Sequence, residues 1–268
     1  MIGLLLGVSA GLVLWMVAGW IFQRAAGNGG WTDVFWTFGT GLAGAAAALF
    51  PLTSSPPSPR QLLVAFLAAA WALRLGLHMT LRVARSPEDA RYAELRTRWG
   101  EGFQLMMARF LPIQAIASIP LLASIMLAAR NPTPGLAVTD ILGAGVLVLA
   151  VLGEGVADRQ LERFKARPES AGLICDVGLW RWSRHPNYFF EWLGWLAYPV
   201  IALGPDGGWA SGALAMVGPI AMFVILNFGT GLPPLEAHML RTRGGAFRDY
   251  KRRTSAFFPL PPRPEGSA

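Results

Sequence analysis

Long apolar runs alternate with short polar segments along the whole chain, and the runs fall in one length class. Seven candidates occur, at about 2–22, 31–50, 61–82, 109–129, 137–157, 188–205 and 209–229. A helix needs about 20 apolar residues to cross a bilayer core, and lipid-exposed backbone must satisfy its own hydrogen bonds. The pattern predicts an all-α fold: a polytopic membrane bundle of seven transmembrane helices in a single domain over 1–268. PLTSSPPSPR (51–60) and RNPTPG (130–135) predict short turns. Longer polar stretches at about 83–108 and 158–187, with a tail from Gly231, predict one large polar face.

The basic residues test the count. Seven spans put Arg24, Arg82, Arg85, Arg91, Arg96, Arg98, Arg109, the six from Arg159 to Arg184 and the seven from Arg241 to Arg263 on one side. The other side receives Arg60 and Arg130, and Arg74 lies inside a span. Such asymmetry predicts a cytoplasmic C-terminus. Composition agrees with a membrane: 53% hydrophobic residues and 15% charged, against about 25% charged in soluble domains. The apolar N-terminus has no basic region ahead of it, so a retained first span is expected rather than a cleaved signal.

The net charge of +7 follows membrane topology, so no nucleic-acid partner is expected. The single Cys175 excludes an internal disulfide, and His78, His185 and His238 are too scattered for a zinc motif. Arginine far outnumbers lysine, which points to high-GC coding and a bacterial inner membrane. A monomer is expected.

GTGLAG (39–44) fits a dinucleotide fingerprint in letters alone. That fingerprint works only between a strand and a helix. Inside an apolar span, small residues instead let membrane helices approach closely.

Ionisable groups within spans are costly and need a partner or a task. Arg74 and His78 share one helix face, and Arg82 and Arg85 extend that stripe toward the cytoplasm. The stripe is either a chain of donors or an Arg74–carboxylate pair, with Glu191 or Glu154 opposite. Asp33 and Glu154 fall near span ends. Asp140, near the outer start of its span, is expected to be solvated.

RWSRHPNYFFEWLGW (181–195) turns from basic to aromatic within a few residues. Pro186 suits a first helical turn, placing Asn187 there and Glu191 one turn deeper on the same face. Arg181, Arg184 and His185 precede this N-terminus, a ready place for phosphate. Asn187 and Glu191 offer an amide and a carboxylate to a polar ring. Upstream, Asp158, Glu162 and Lys165 have helical spacing. In the tail, Glu236, Arg241, Arg248 and Tyr250 either close over a ligand or lie on anionic lipid.

GLWRWSRHPNYFFEWLGW, followed by the tail pattern P-L-E…R…Y…R-R-T-S-A-F-F-P, resembles the C-terminal region of the steroid 5α-reductase superfamily, in particular its bacterial branch. Phe190 stands where that branch usually has glycine. The resemblance implies a seven-helix bundle, NADPH as cofactor, and reduction of the C=C bond of an α,β-unsaturated ketone such as a Δ4-3-oxo steroid. It assigns cofactor contacts to Asp158, Lys165, Asn187 and Glu191, and more loosely to Arg85. Trp71 falls where animal members carry a tyrosine, and the second span has no glutamate, Asp33 being its nearest acid.

On this reading Asn187 and Glu191 orient the nicotinamide amide. Arg85, Lys165, Arg181, Arg184 and Arg241 hold phosphates, with Arg74, Asp158, His185 and Tyr250 completing the cofactor site. Protonated Asp33, His78 or Tyr92 donates to the ketone oxygen as it gains charge. The alternative is an S-adenosylmethionine-dependent methyltransferase of the isoprenylcysteine or phospholipid type, which shares an R-H-P-x-Y segment and an acidic tail.

Overall fold

Three prolines decide where the apolar runs bend. In the computed structural model, which describes residues 1–51, 55–204 and 209–264, the runs are helical but not all unbroken. Residues 52–54 of the first expected turn, and residue 205 at the end of the sixth expected span, lie outside the described residues. The expected span 188–205 is divided at Leu196 into α8 (Pro186–Trp195) and α9 (Ala197–Ala202). The span 209–229 is divided at Met216 into α10 (Trp209–Ala215) and α11 (Val217–Phe228). Each break lies three residues before a proline, Pro199 or Pro219. Proline has no N–H for the carbonyl four residues back and its ring crowds that carbonyl, so the helix restarts. Pro120 acts similarly on the fourth run, parting α5 (Phe103–Ala117) from α6 (Ile119–Ala129) at Ser118.

The remaining helices are α1 (Ile2–Ala26), α2 (Trp31–Leu49), α3 (Pro59–Arg85), α4 (Ala90–Trp99), α7 (Val138–Lys165) and α12 (Leu232–Arg253). Among the described residues there is no strand, only an isolated bridge between Ser183 and Ser255. Among the described residues, five stretches are long and apolar enough to cross a membrane: Ile2–Ala26, Pro59–Arg85, Arg91–Ala129, Val138–Lys165 and Ala210–Arg253. α7 has 28 residues, about 42 Å at 1.5 Å per residue, so it outruns a 30 Å core and carries the acidic and basic turns beyond Asp158.

The chain forms two compact units. The first is Met1–Ala144 with Leu196–Ala221, the second Gly145–Trp195 with Met222–Ala268. In the first, α2 packs against α1, α3 and α6, and its glycines make that possible. A Cβ on Gly39 would lie 2.4 Å from the Trp15 ring, one on Gly41 2.2 Å from Ala72 Cβ, and one on Gly44 2.5 Å from Ile125 Cδ1. The run GTGLAG is thus a set of notches, one for each neighbouring helix. Gly41→Leu should part α2 from α3 and cost about 1–3 kcal/mol. Gly145→Ala, whose Cβ meets nothing within 4 Å, should be neutral or stabilising by up to about 1 kcal/mol. Thermal unfolding of the two variants side by side checks the opposite signs.

Asp140 is not solvated. It is wholly buried and receives Arg60 Nε and Nη2, both at 2.8 Å. Arg60 Nη1 also donates to the carbonyls of Asn131 (2.9 Å) and Thr133 (2.5 Å), and Nη2 to that of Gly135 (2.8 Å). The RNPTPG turn therefore wraps a guanidinium whose five N–H groups serve both the turn and a carboxylate. Asn131 extends the clasp by donating to the carbonyl of Ile201 at 2.8 Å.

Candidate functional site

The second unit builds its polar site along the seam of α7 and α8. At one end Gly194 packs on Leu147 and Ala150. In the middle Phe190 occupies the space left by Gly153, where a Cβ would fall 2.3 Å from its ring. The bulk of Phe190 in α8 is thus matched by a glycine on α7. At the other end Asn187 Nδ2 lies 3.4 Å from Asp158 Oδ1. Glu191, one turn beyond Asn187, is buried and accepts from Trp195 Nε1 at 3.0 Å. Glu154 and Asp158 are buried as well. The seam gathers an amide and three carboxylates at low exposure, where hydrogen bonds are strong and selective. Lys165 and Arg181 are exposed, as is Arg241 on α12.

The loop before α8 is locked by the tail. Arg184 was expected to hold phosphate, but all three of its guanidinium nitrogens face protein acceptors. Nε and Nη2 lie 2.8 and 2.7 Å from Glu236 Oε1, and Nη1 donates to the Thr254 carbonyl at 2.5 Å. The reason is burial: a guanidinium left 8% exposed needs protein partners, and the tail supplies them. Lys251 Nζ reaches the other oxygen of Glu236 at 2.8 Å. His185 Nε2 is 3.3 Å from Glu236 Oε1, and its ring stacks on Tyr188 with centroids 5.7 Å apart. Burial holds the His185 imidazole below its ordinary range, although Glu236 pulls the other way. It is therefore neutral near pH 7 and brings no charge to a phosphate. Tyr250, also expected at the cofactor, is buried and donates its hydroxyl to the Trp180 carbonyl.

Glu236 and Lys251 stand fifteen residues apart, about 22 Å along a straight helix, yet their side chains touch. Gly244 explains this: its backbone has φ 50° and ψ −117°, breaking α12 and folding its second half back. A side chain at that φ would be strained. Beyond α12 the tail runs beside the loop. Arg184 N donates to Ser255 O (2.8 Å), Leu260 N to Trp182 O (3.0 Å) and Ser183 Oγ to Phe257 O (2.8 Å). Phe257 and Phe258 pack edge-on against Phe189 and Trp192, with centroids 5.6–6.1 Å apart. The Glu236 clasp is what reading the sequence missed. Its signal was that Glu236 is the one acid among residues 231–248, in a chain whose Arg184 needed a partner.

The first unit holds Asp33, Arg74, His78, Arg85 and Tyr92. Arg74 and His78 are half-buried one turn apart on α3, and Arg85 is exposed. Asp33 was expected as a protonated donor. It instead accepts from Arg91 Nη2 and Tyr92 Oη, both at 2.8 Å, which makes it an ion-pair carboxylate. Tyr92, the other expected donor, is buried with its hydroxyl on Asp33. Nearby, Glu88 accepts from the Gly29 N–H and from Arg96, each at 2.8 Å. Burial works against ionisation of Glu88, but Arg96 and that N–H outweigh it and hold the carboxyl below its usual range. These bonds fasten α4 and the residues before it to the turn between α1 and α2.

The family model described as "Protein of unknown function (DUF1295)" matches residues 19–254, from the last turns of α1 through the end of α12. That family is associated with steroid 5α-reductase-like membrane proteins. An uncharacterized protein of Schizosaccharomyces pombe is 26% identical over 285 residues, covering 96% of this chain and 79% of the yeast protein. No solved structure gives a significant match. With nearly the whole helical framework inside the matched region, the chain belongs to the DUF1295 family.

Proposed function

We propose that this membrane protein is an NADPH-dependent reductase acting on the C=C bond of an α,β-unsaturated ketone, a Δ4-3-oxo steroid or a similarly apolar enone. The observation that carries the reading is the α7–α8 seam. An Asn amide beside a buried Asp, with a buried Glu one turn deeper, matches the donor and acceptor pattern of a carboxamide-bearing ring. When bound, NADPH supplies the hydride; the protein supplies orientation and field. Asn187, Asp158 and Glu191 orient the ring, and the exposed cations Lys165, Arg181 and Arg241 of the same unit take the phosphates. Arg184, His185 and Tyr250 serve this site indirectly, by fixing the loop that starts α8. Seven spans and a cytoplasmic C-terminus complete the proposal: α2 and the broken α8–α9 segment are counted with the five longer stretches.

Thermal unfolding of the purified protein with each cofactor tests the reading. A ligand at 100 times its Kd adds about 2.7 kcal/mol. NADPH should raise the melting temperature by several degrees, and Glu191→Ala should abolish both that rise and NADPH-dependent enone turnover. A rise with S-adenosylmethionine and none with NADPH would replace the reductase with a methyltransferase.

A further inference from the structure

The loop and tail that pair in the second unit lie outside every stretch apolar enough to span a membrane, apart from the last turn of α12. They still expose large apolar side chains. Val177, Trp182, Phe258 and Leu260 are all exposed, Trp182 at 45% and Phe258 at 44%. The backbone bond from Leu260 to Trp182 places two of them side by side, and the Ser183–Ser255 bridge holds the two segments in register. Phe258 is rooted in the ring cluster of Phe189, Trp192 and Phe223, so its exposure belongs to a packed structure rather than a loose end.

Charge on this piece has one sign. Residues 172–184 and 250–263 contain six basic residues and one acid, Asp176. Two of the six, Arg184 and Lys251, are held by Glu236, and Arg253 lies 3.7 Å from Asp176. Arg181, Arg252 and Arg263 remain exposed. Arg252 pairs with Asp249, both well exposed, where solvent screens the pair.

We propose that this face is a docking surface for anionic phospholipid headgroups. Trp and Phe favour the level where headgroups meet acyl chains, and arginine beside them pairs with phosphate. Apolar residues dispersed among arginines on an irregular backbone suit that layer. A protein partner calls instead for a contiguous apolar patch with its charge at the rim. The surface seats the loop–tail clasp on the bilayer. It rests on exposure and charge alone and is independent of the reductase reading.

The test uses full-length protein in nanodiscs, with Cys175 replaced by Ala and a nitroxide on Leu260→Cys. One set of discs is phosphatidylcholine; the other is equal parts phosphatidylcholine and phosphatidylglycerol. In the anionic discs the label should be several-fold more accessible to oxygen than to an aqueous nickel complex, and a label on exposed Arg248→Cys should show the reverse. Arg252→Gln with Arg263→Gln should return the Leu260 label to water. Val177→Cys repeats the measurement from the loop, should the first label disturb the tail. Labels equally open to nickel in both lipids, or broadened by a second copy of the chain, would overturn the proposal.

Discussion

Arg60→Ala is expected to lower the melting temperature by about 10 °C, the largest loss of any single substitution in the first unit. Arg60 is 3% exposed and Asp140 is fully buried, so truncation leaves a carboxylate among helices with the Ala137 N–H still donating to it. The carbonyls of Asn131, Thr133 and Gly135 lose the same guanidinium. Breaking a buried pair from one side costs about 3–5 kcal/mol, a large share of the 5–15 kcal/mol that holds typical domains together. Arg60→Lys should recover little, because one ammonium cannot serve a bidentate carboxylate and three carbonyls at once. Arg60→Met with Asp140→Leu should recover part, since both charges go while the carbonyls stay unserved. Tryptophan fluorescence melts in detergent give the ordering. A wild-type melt for Arg60→Ala would mean the clasp does not form in solution.

The same clasp shows what the sequence makes legible. Run length predicts helices well, because membrane-length apolar segments have no other way to satisfy their backbone. It does not place the breaks at Leu196 and Met216, which follow from Pro199 and Pro219 and require counting back from each proline. The glycines of GTGLAG were readable as packing notches, since nothing strand-like precedes them. Asp140 was misjudged because it was weighed alone. Arg60 and Asp140 are eighty residues apart, yet both sit at the start of a span entered from the same expected side, and opposite charges at one depth were the clue. Asn187 was legible from its place one turn before Glu191, and Asp158 from its helical spacing; their 3.4 Å approach was not, because it depends on the register of α8 on α7, set by Gly153, Phe190 and Gly194. The tail clasp was least legible, because it needs Gly244 to reverse α12, and Gly-Gly in a basic tail reads as a simple linker.

Glu236→Ala should be the most damaging change in the second unit. One carboxylate, 13% exposed, answers Arg184, His185 and Lys251, and its removal leaves the buried Arg184 with backbone carbonyls only. The cost is about 3–5 kcal/mol, with release of residues 254–263 from the loop before α8. Glu236→Gln separates charge from shape: one oxygen still accepts from Arg184, while the new amide nitrogen faces Lys251. It should retain the fold at pH 8 with a smaller loss, about 1.5–3 kcal/mol for the charged hydrogen bonds. Acid then distinguishes it from wild type. Burial sets His185 below the ordinary value of 6.5, so the unfolded chain takes up its proton first, and stability falls as pH drops from 6.5 through the folded value. Glu236 is the group that moderates this shift. Without its charge the folded value drops further, and the acid loss becomes both deeper and longer. The melting gap between wild type and Glu236→Gln should therefore widen on going from pH 8 to pH 5.5, and tryptic cleavage after Lys251 and Arg253 should accelerate in parallel. A gap that stays constant with pH would show that Glu236 does not bear on His185, and the clasp as drawn would be wrong.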